Sequence, residues 1–299
     1  MPKSRNRRKA GKKRKPSTRK RKADPPVVEP PPFGSMESLL HLMGPDGASA
    51  SSPESGAQNL VYSAWELADP RDRVRKAKRA LEIWPDCADA WVLLAENMAE
   101  SLDEMYEFYA SGVEAGERAL GESAFAEDVG HFWGILETRP YMRARLGLAR
   151  VLKEMGQIDQ AIGHLRELLR LNPGDNQGNR YLLLHWFLES DRDEEAADLL
   201  EDYADDGMAE WSYGRALLAW RRQGDGPAAD KLLDAALERN GFVPAYLLGR
   251  LRVPKALPTT LRFGGKREAM LYAKDYKIFW KQTPGALDWL KSRLGIKSS

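Results

Sequence analysis

Residues Met142 to Asp175 read MRARLGLARVLKEMGQIDQAIGHLRELLRLNPGD. Leu148, Ala149 and Leu152 share one face at helical spacing. Gly156 ends that helix, Ala161, Leu165 and Leu168 form a second apolar stripe, and Pro173 closes the unit. The stretch therefore predicts two antiparallel helices in thirty-four residues. Small side chains at Ala149 and Ala161 let the two helices cross closely.

A helical pair of this length resembles the tetratricopeptide repeat, whose eighth and twentieth positions are small; Ala149 and Ala161 hold those positions. Upstream, Leu60, Val61, Ala64, Leu67 and Ala68 share a helix face, and Asp69-Pro70 supplies an N-cap and a first-turn proline. The helix that follows stops at Pro85. Trp91, Leu94, Ala95 and Met98 then fill the first helix of another unit, and its second helix spans about Asp103 to Leu120. Residues 121 to 139 break the period and read as an insertion with a short helix, its Phe132, Trp133, Ile135 and Leu136 tucked inward. Downstream, Leu182, Leu183 and Trp186 mark one repeat, with a second helix shifted by a residue. Tyr213, Ala216, Leu217, Trp220, Ala229, Leu233 and Ala236 mark the next. The period decays after Pro244, and helices near 267–281 and 284–294 read as a cap that shields the last apolar face. The expected fold is all-α, a tetratricopeptide-like solenoid of about five complete or partial repeats over residues 58–296.

Residues 1–57 read differently. Residues 1–22 carry thirteen Lys or Arg and no acid, and too few apolar residues to offset ordering entropy, so disorder is expected there. A Pro-rich spacer follows. Residues 35–44, SMESLLHLMG, suit a short amphipathic helix, and 45–57 read as linker. Removing the thirteen tail bases from the total of 46 leaves 33 against 44 acids, so the body carries a net charge of −11. One cysteine, Cys87, leaves no internal disulfide framework and suits a reducing compartment. No apolar run approaches the roughly 20 residues of a membrane-spanning helix, and no apolar core follows the basic start as in a secretory signal. The expected location is the cytoplasm, or the nucleus in a eukaryote.

Several segments are more particular than the repeat: DCADAWVLLAE (86–96), RPYMRARLGLA (139–149), VPAYLLGR (243–250), GGKREAMLYA from 264 and FWKQTPGALDWL ending at 290. In order and spacing they resemble the repeat region of the suppressor of tumorigenicity 7 family, including soluble bacterial-type relatives, over about residues 75–292. The resemblance implies the helical-repeat fold and no known catalytic residues. It also implies apolar N-terminal segments in animal members, where this chain has its basic tail.

Chemical motifs are sparse. His164 and Glu167 lie one turn apart without a second ligand pair, which favours a packing or surface role. His185, beside Trp186, reads as a groove or packing residue. Asp86 and Asp89 flank Cys87 and oppose a thiolate. FGGKRE (263–268) lacks the first glycine and the hydroxyl of a phosphate loop and reads as a turn. No cofactor, metal or catalytic set is expected.

A solenoid offers instead an inner wall. Repeat register places Arg143, Leu146, Arg150 and Lys153 there, then Gln177, Arg180, Leu184 and Phe187, then Trp211, Gly214, Leu218 and Arg221, with Asn179 and Arg215 adjacent. Arginine forks match carboxylates. The expected function is a non-enzymatic scaffold that binds an extended acidic peptide through Arg143, Arg150, Lys153, Gln177, Asn179, Arg180 and Arg215, with Trp211 as apolar anchor. The opposing reading pairs these arginines with acids on neighbouring helices. A second function attaches to the tail: Arg7, Arg8, Lys9, Lys12, Lys13, Arg14, Lys15, Arg19, Lys20, Arg21 and Lys22 suit polyanion backbones without base readout. In that alternative the tail contacts RNA or DNA while the solenoid recruits a protein.

Overall fold

The computed structural model describes residues 52–255 and 262–296. The tail candidates Arg7 to Lys22, the Pro-rich spacer and the helix expected at 35–44 lie outside the described residues. Within them the chain is helical and contains no strand. The helices are α1 (Pro53–Trp65), α2 (Pro70–Ile83), α3 (Ala88–Asn97), α4 (Leu102–Glu127), α5 (Arg139–Glu154), α6 (Ile158–Leu171), α7 (Asn179–Glu189), α8 (Asp193–Asp202), α9 (Ala209–Gln223), α10 (Pro227–Arg239), α11 (Val243–Leu247), α12 (Lys266–Gln282) and α13 (Ala286–Arg293).

Each expected pair is present: α1 packs on α2, α3 on α4, α5 on α6, α7 on α8 and α9 on α10. The central pair forms as its stripes require. Leu148, Ala149, Leu152, Ala161, Leu165 and Leu168 are all buried, and Gly156 ends α5 with φ 79°. The closest inter-repeat approach is between α4 and α5. A Cβ added at Gly147 would fall 2.0 Å from Cε1 of Tyr109, so the ring fits only because that position has no side chain. Asp69 caps α2 by accepting from the Arg71 N–H at 2.9 Å, with Pro70 in the first turn.

Two boundaries move. The helix expected near Gln58 begins at Pro53, so 53–57 are helix and Ala57 is buried. The Gly, Ser and Ala content there suggests linker, but Ser52-Pro53-Glu54 is a start signal: Ser52 Oγ accepts from the Ser55 N–H at 3.2 Å. The insertion is also smaller. Helix α4 continues through a kink at Gly121 to Glu127, and two single turns, Phe132–Gly134 and Leu136–Thr138, bridge to α5. Phe132 is buried, while Trp133, Ile135 and Leu136 are half-buried.

The C-terminal helices follow the expected spans, but α12 does more than cover the end. It packs against α9 and reaches back to α7. Tyr272, Tyr276, Phe279 and Trp280 recur at helical spacing on one buried face of α12. They meet Tyr213 of α9 and His185 of α7.

Candidate peptide-binding trough

The inner wall has two unlike halves. In the first, Asp89 of α3 is fully buried and accepts from Arg143 of α5 and from Gln58 Nε2 of α1 at 2.8 Å. Three successive first helices are thereby tied by one carboxylate. The Arg143 guanidinium also lies 5.2 Å from the Trp65 ring centroid, a cation–π distance. Along α5, Leu146 is half-buried and Arg150 is exposed, with no ion pair among the described residues. Lys153 pairs with Glu189 of α7 at 2.9 Å.

In the second half α12 covers the wall. The α9 residues that face it include Tyr213 and Trp220, the latter donating from Nε1 to the Pro284 carbonyl at 2.9 Å and stacking on Trp289 at 4.7 Å. The buried Glu268 carboxylate anchors the start of α12. It accepts from Ala209 N at 2.9 Å, Asn240 Nδ2 at 2.8 Å and Gly264 N at 2.6 Å. Beside it, Glu210 has one oxygen buried without a partner. Burial, with Glu268, Asp206 and Asp275 adding repulsion, pushes its carboxyl up to about 7.

The candidates from repeat register divide accordingly. Trp211 is no surface anchor: it is 0 % exposed, edge-on to Tyr181 and Tyr203. Gly214 faces Leu184 and Leu200, and Arg221 pairs with Asp191 and Asp193, so this face of α9 meets the preceding repeat. Arg180 is held between Asp175 at 3.0 Å and Asp206 at 2.8 Å. Asp175 also caps α7 by accepting from Asn179 N and Arg180 N. Asn179 is buried and donates to Gln177, which donates to the Met142 carbonyl. Arg215 donates to the carbonyls of Leu200 and Ala204 at the end of α8, where cations favour the helix dipole. Arg143, Lys153, Arg180 and Arg221 thus follow the opposing reading, pairing with acids of the chain itself. Arg150 alone of the candidates is exposed.

The other singled-out groups are structural. Cys87 is buried, and desolvation with Asp89 pushes its thiol up to about 12. Burial, then Arg145, lowers His164 to about 4, while Glu167 is bound by Arg170 rather than by His164. His185 is packed edge-on to Tyr276 and Phe279. Residues 263–265 form the turn before α12. Among the described residues no group of three or more His, Cys, Asp or Glu could hold a metal, and no helix is long and apolar enough to cross a membrane.

Stacked helical hairpins with a partly filled inner wall define a tetratricopeptide-like scaffold. The comparisons give its kinship. A family profile described as ST7 protein matches residues 50–294, and the chain belongs to that family. The match starts well before residue 75 and takes in α1. Among its relatives, the chicken (Gallus gallus) and human suppressor of tumorigenicity 7 protein-like are each 27% identical, over 256 and 257 residues. These alignments cover 78% and 79% of this chain and 46% and 44% of those proteins. The Drosophila melanogaster protein ST7 homolog is 26% identical over 264 residues, covering 77% of this chain and 47% of its own. The chain thus spans a little under half the length of the curated relatives it matches. Among solved structures, YrrB, described as a TPR protein with an unusual peptide-binding site, aligns with TM-score 0.43 and 17% identity, over 67% of this chain and 91% of its own.

Proposed function

We propose that this chain is a non-enzymatic interaction scaffold that receives an acidic polypeptide segment on the uncovered wall formed by α3 and α5. The observation that carries this is the contrast between the two halves. Over α7 and α9 the inner wall already holds a polypeptide, the chain's own α12. Over α5 it presents Arg150, an exposed cation with no internal acid, beside the half-buried Leu146. A carboxylate of the ligand meets Arg150, and an apolar side chain covers Leu146. Arg143 and Arg180 shape the wall and do not contact the ligand.

Fluorescence anisotropy of a labelled Glu-rich peptide on the full chain tests this. Arg150→Glu is expected to weaken binding at least about tenfold, since charge-assisted hydrogen bonds contribute roughly 1.5–3 kcal/mol. A loss under about 0.5 kcal/mol would overturn the assignment. The competing reading, with the tail on nucleic acid, predicts salt-sensitive RNA binding that disappears when residues 1–24 are removed and ignores Arg150.

A further inference from the structure

From Gly241 to Arg267 the chain has six Lys or Arg and no Asp or Glu, on a body otherwise rich in acids. Two aromatic rings are exposed there, Phe263 at 67% and Phe242 at 40%. With Arg262, Gly264, Gly265, Lys266 and Arg267 they line a cavity of about 600 Å³. Lys266 Nζ lies 5.4 Å from the Phe242 ring centroid. The turn that carries Phe263 is fastened from below, because Gly264 N donates to the buried Glu268. Arg262 and Lys266 have no ion pair among the described residues.

Leaving a large ring in water forgoes the stabilisation of burying it, roughly 1.5–3 kcal/mol when complete, and nothing in the fold uses this ring. Arg, Lys and aromatic rings around a concavity, without acids, are the composition of a binding face for an anionic partner with an apolar protrusion. We propose that this face, at the junction of α10, α11 and α12 and apart from the α3–α5 wall, binds a partner protein segment that carries Asp or Glu beside an aromatic or aliphatic side chain. The apolar side chain enters between Phe242 and Phe263, and the flanking carboxylates meet Arg262 and Lys266. The concavity favours a peptide over an anionic bilayer, whose surface is flat on this scale. A nucleic-acid strand would follow a long basic groove with several stacking rings. This cavity has room for one or two side chains.

The test uses the full chain and a fluorescein-labelled Glu-rich peptide with a central Phe-Leu pair. Its controls are the same peptide with Gly-Gly at the centre, phosphatidylserine–phosphatidylcholine vesicles and oligouridylate. Phe263→Ala and Lys266→Glu, both at exposed positions, are each expected to weaken the Phe-Leu peptide about tenfold. Phe263→Ala should leave the Gly-Gly peptide unchanged. Arg150→Glu acts on a different wall and should leave the Phe263-dependent component intact, so failure here is distinguishable from failure of the trough. Unchanged affinity of both variants for the Phe-Leu peptide would overturn the proposal. So would Phe263-dependent binding of vesicles or RNA with none of the peptide.

Discussion

Arg143 holds Asp89 through two charge-assisted hydrogen bonds, Nε to Oδ1 at 2.7 Å and Nη2 to Oδ2 at 2.6 Å, across 54 residues of sequence. The carboxylate is buried and the guanidinium mostly so. Removing the cation leaves a buried anion with only Gln58 as side-chain donor. Arg143→Ala is therefore expected to lose about 3–5 kcal/mol in urea denaturation. Exchanging both partners for apolar residues, Asp89→Leu with Arg143→Met, should recover much of that, because no charge is left stranded. A loss below about 1 kcal/mol in Arg143→Ala would return this arginine to the list of ligand contacts.

The helical pairs were legible because their signals are local. Ala149 with Ala161, Asp69-Pro70 and Gly156 each act within a turn or two, and each behaves in the fold as its chemistry demands. The inner-wall residues were less legible for an equally physical reason. Repeat register says which side a residue faces but not what lies over it, and α12 returns from more than 50 residues away to cover α9. The aromatic stripe Tyr272, Tyr276, Phe279 and Trp280 carries the missing information: four large rings on one helix face require a broad apolar partner. Trp211 misleads for a related reason. The face of α9 that repeat register directs into a groove packs here on the preceding repeat.

That stripe makes α12 part of the core rather than a detachable lid. Trp280 is fully buried, donates to the Tyr272 hydroxyl at 2.7 Å and lies parallel to Trp289. Trp280→Ala is expected to cost about 3–5 kcal/mol. Because α12 bridges α9 and α7, the loss should appear as faster amide hydrogen exchange in both of those helices. Faster exchange confined to α12 and α13 would mean that the helix merely caps the end.

Glu210 gives the fold a pH dependence of definite sign. Its carboxyl titrates near 7 in the folded chain, above the ordinary value near 4.5 that it regains on unfolding. Between those values the folded state holds a proton that the unfolded state has released, so unfolding free energy falls as pH rises through 4.5 to 7 and stays lower above it. The groups that face it, Glu268, Asp206 and Asp275, are all acids, so no cation offsets the charge it acquires. Glu210→Gln removes the titration while keeping the side chain's size. The variant should match the wild type below about pH 4.5 and exceed it by on the order of 2 kcal/mol above pH 7. Chemical denaturation across that range measures the difference directly. Parallel curves for the two proteins would show that the carboxylate finds solvent or a donor in the folded state and that its burial costs nothing.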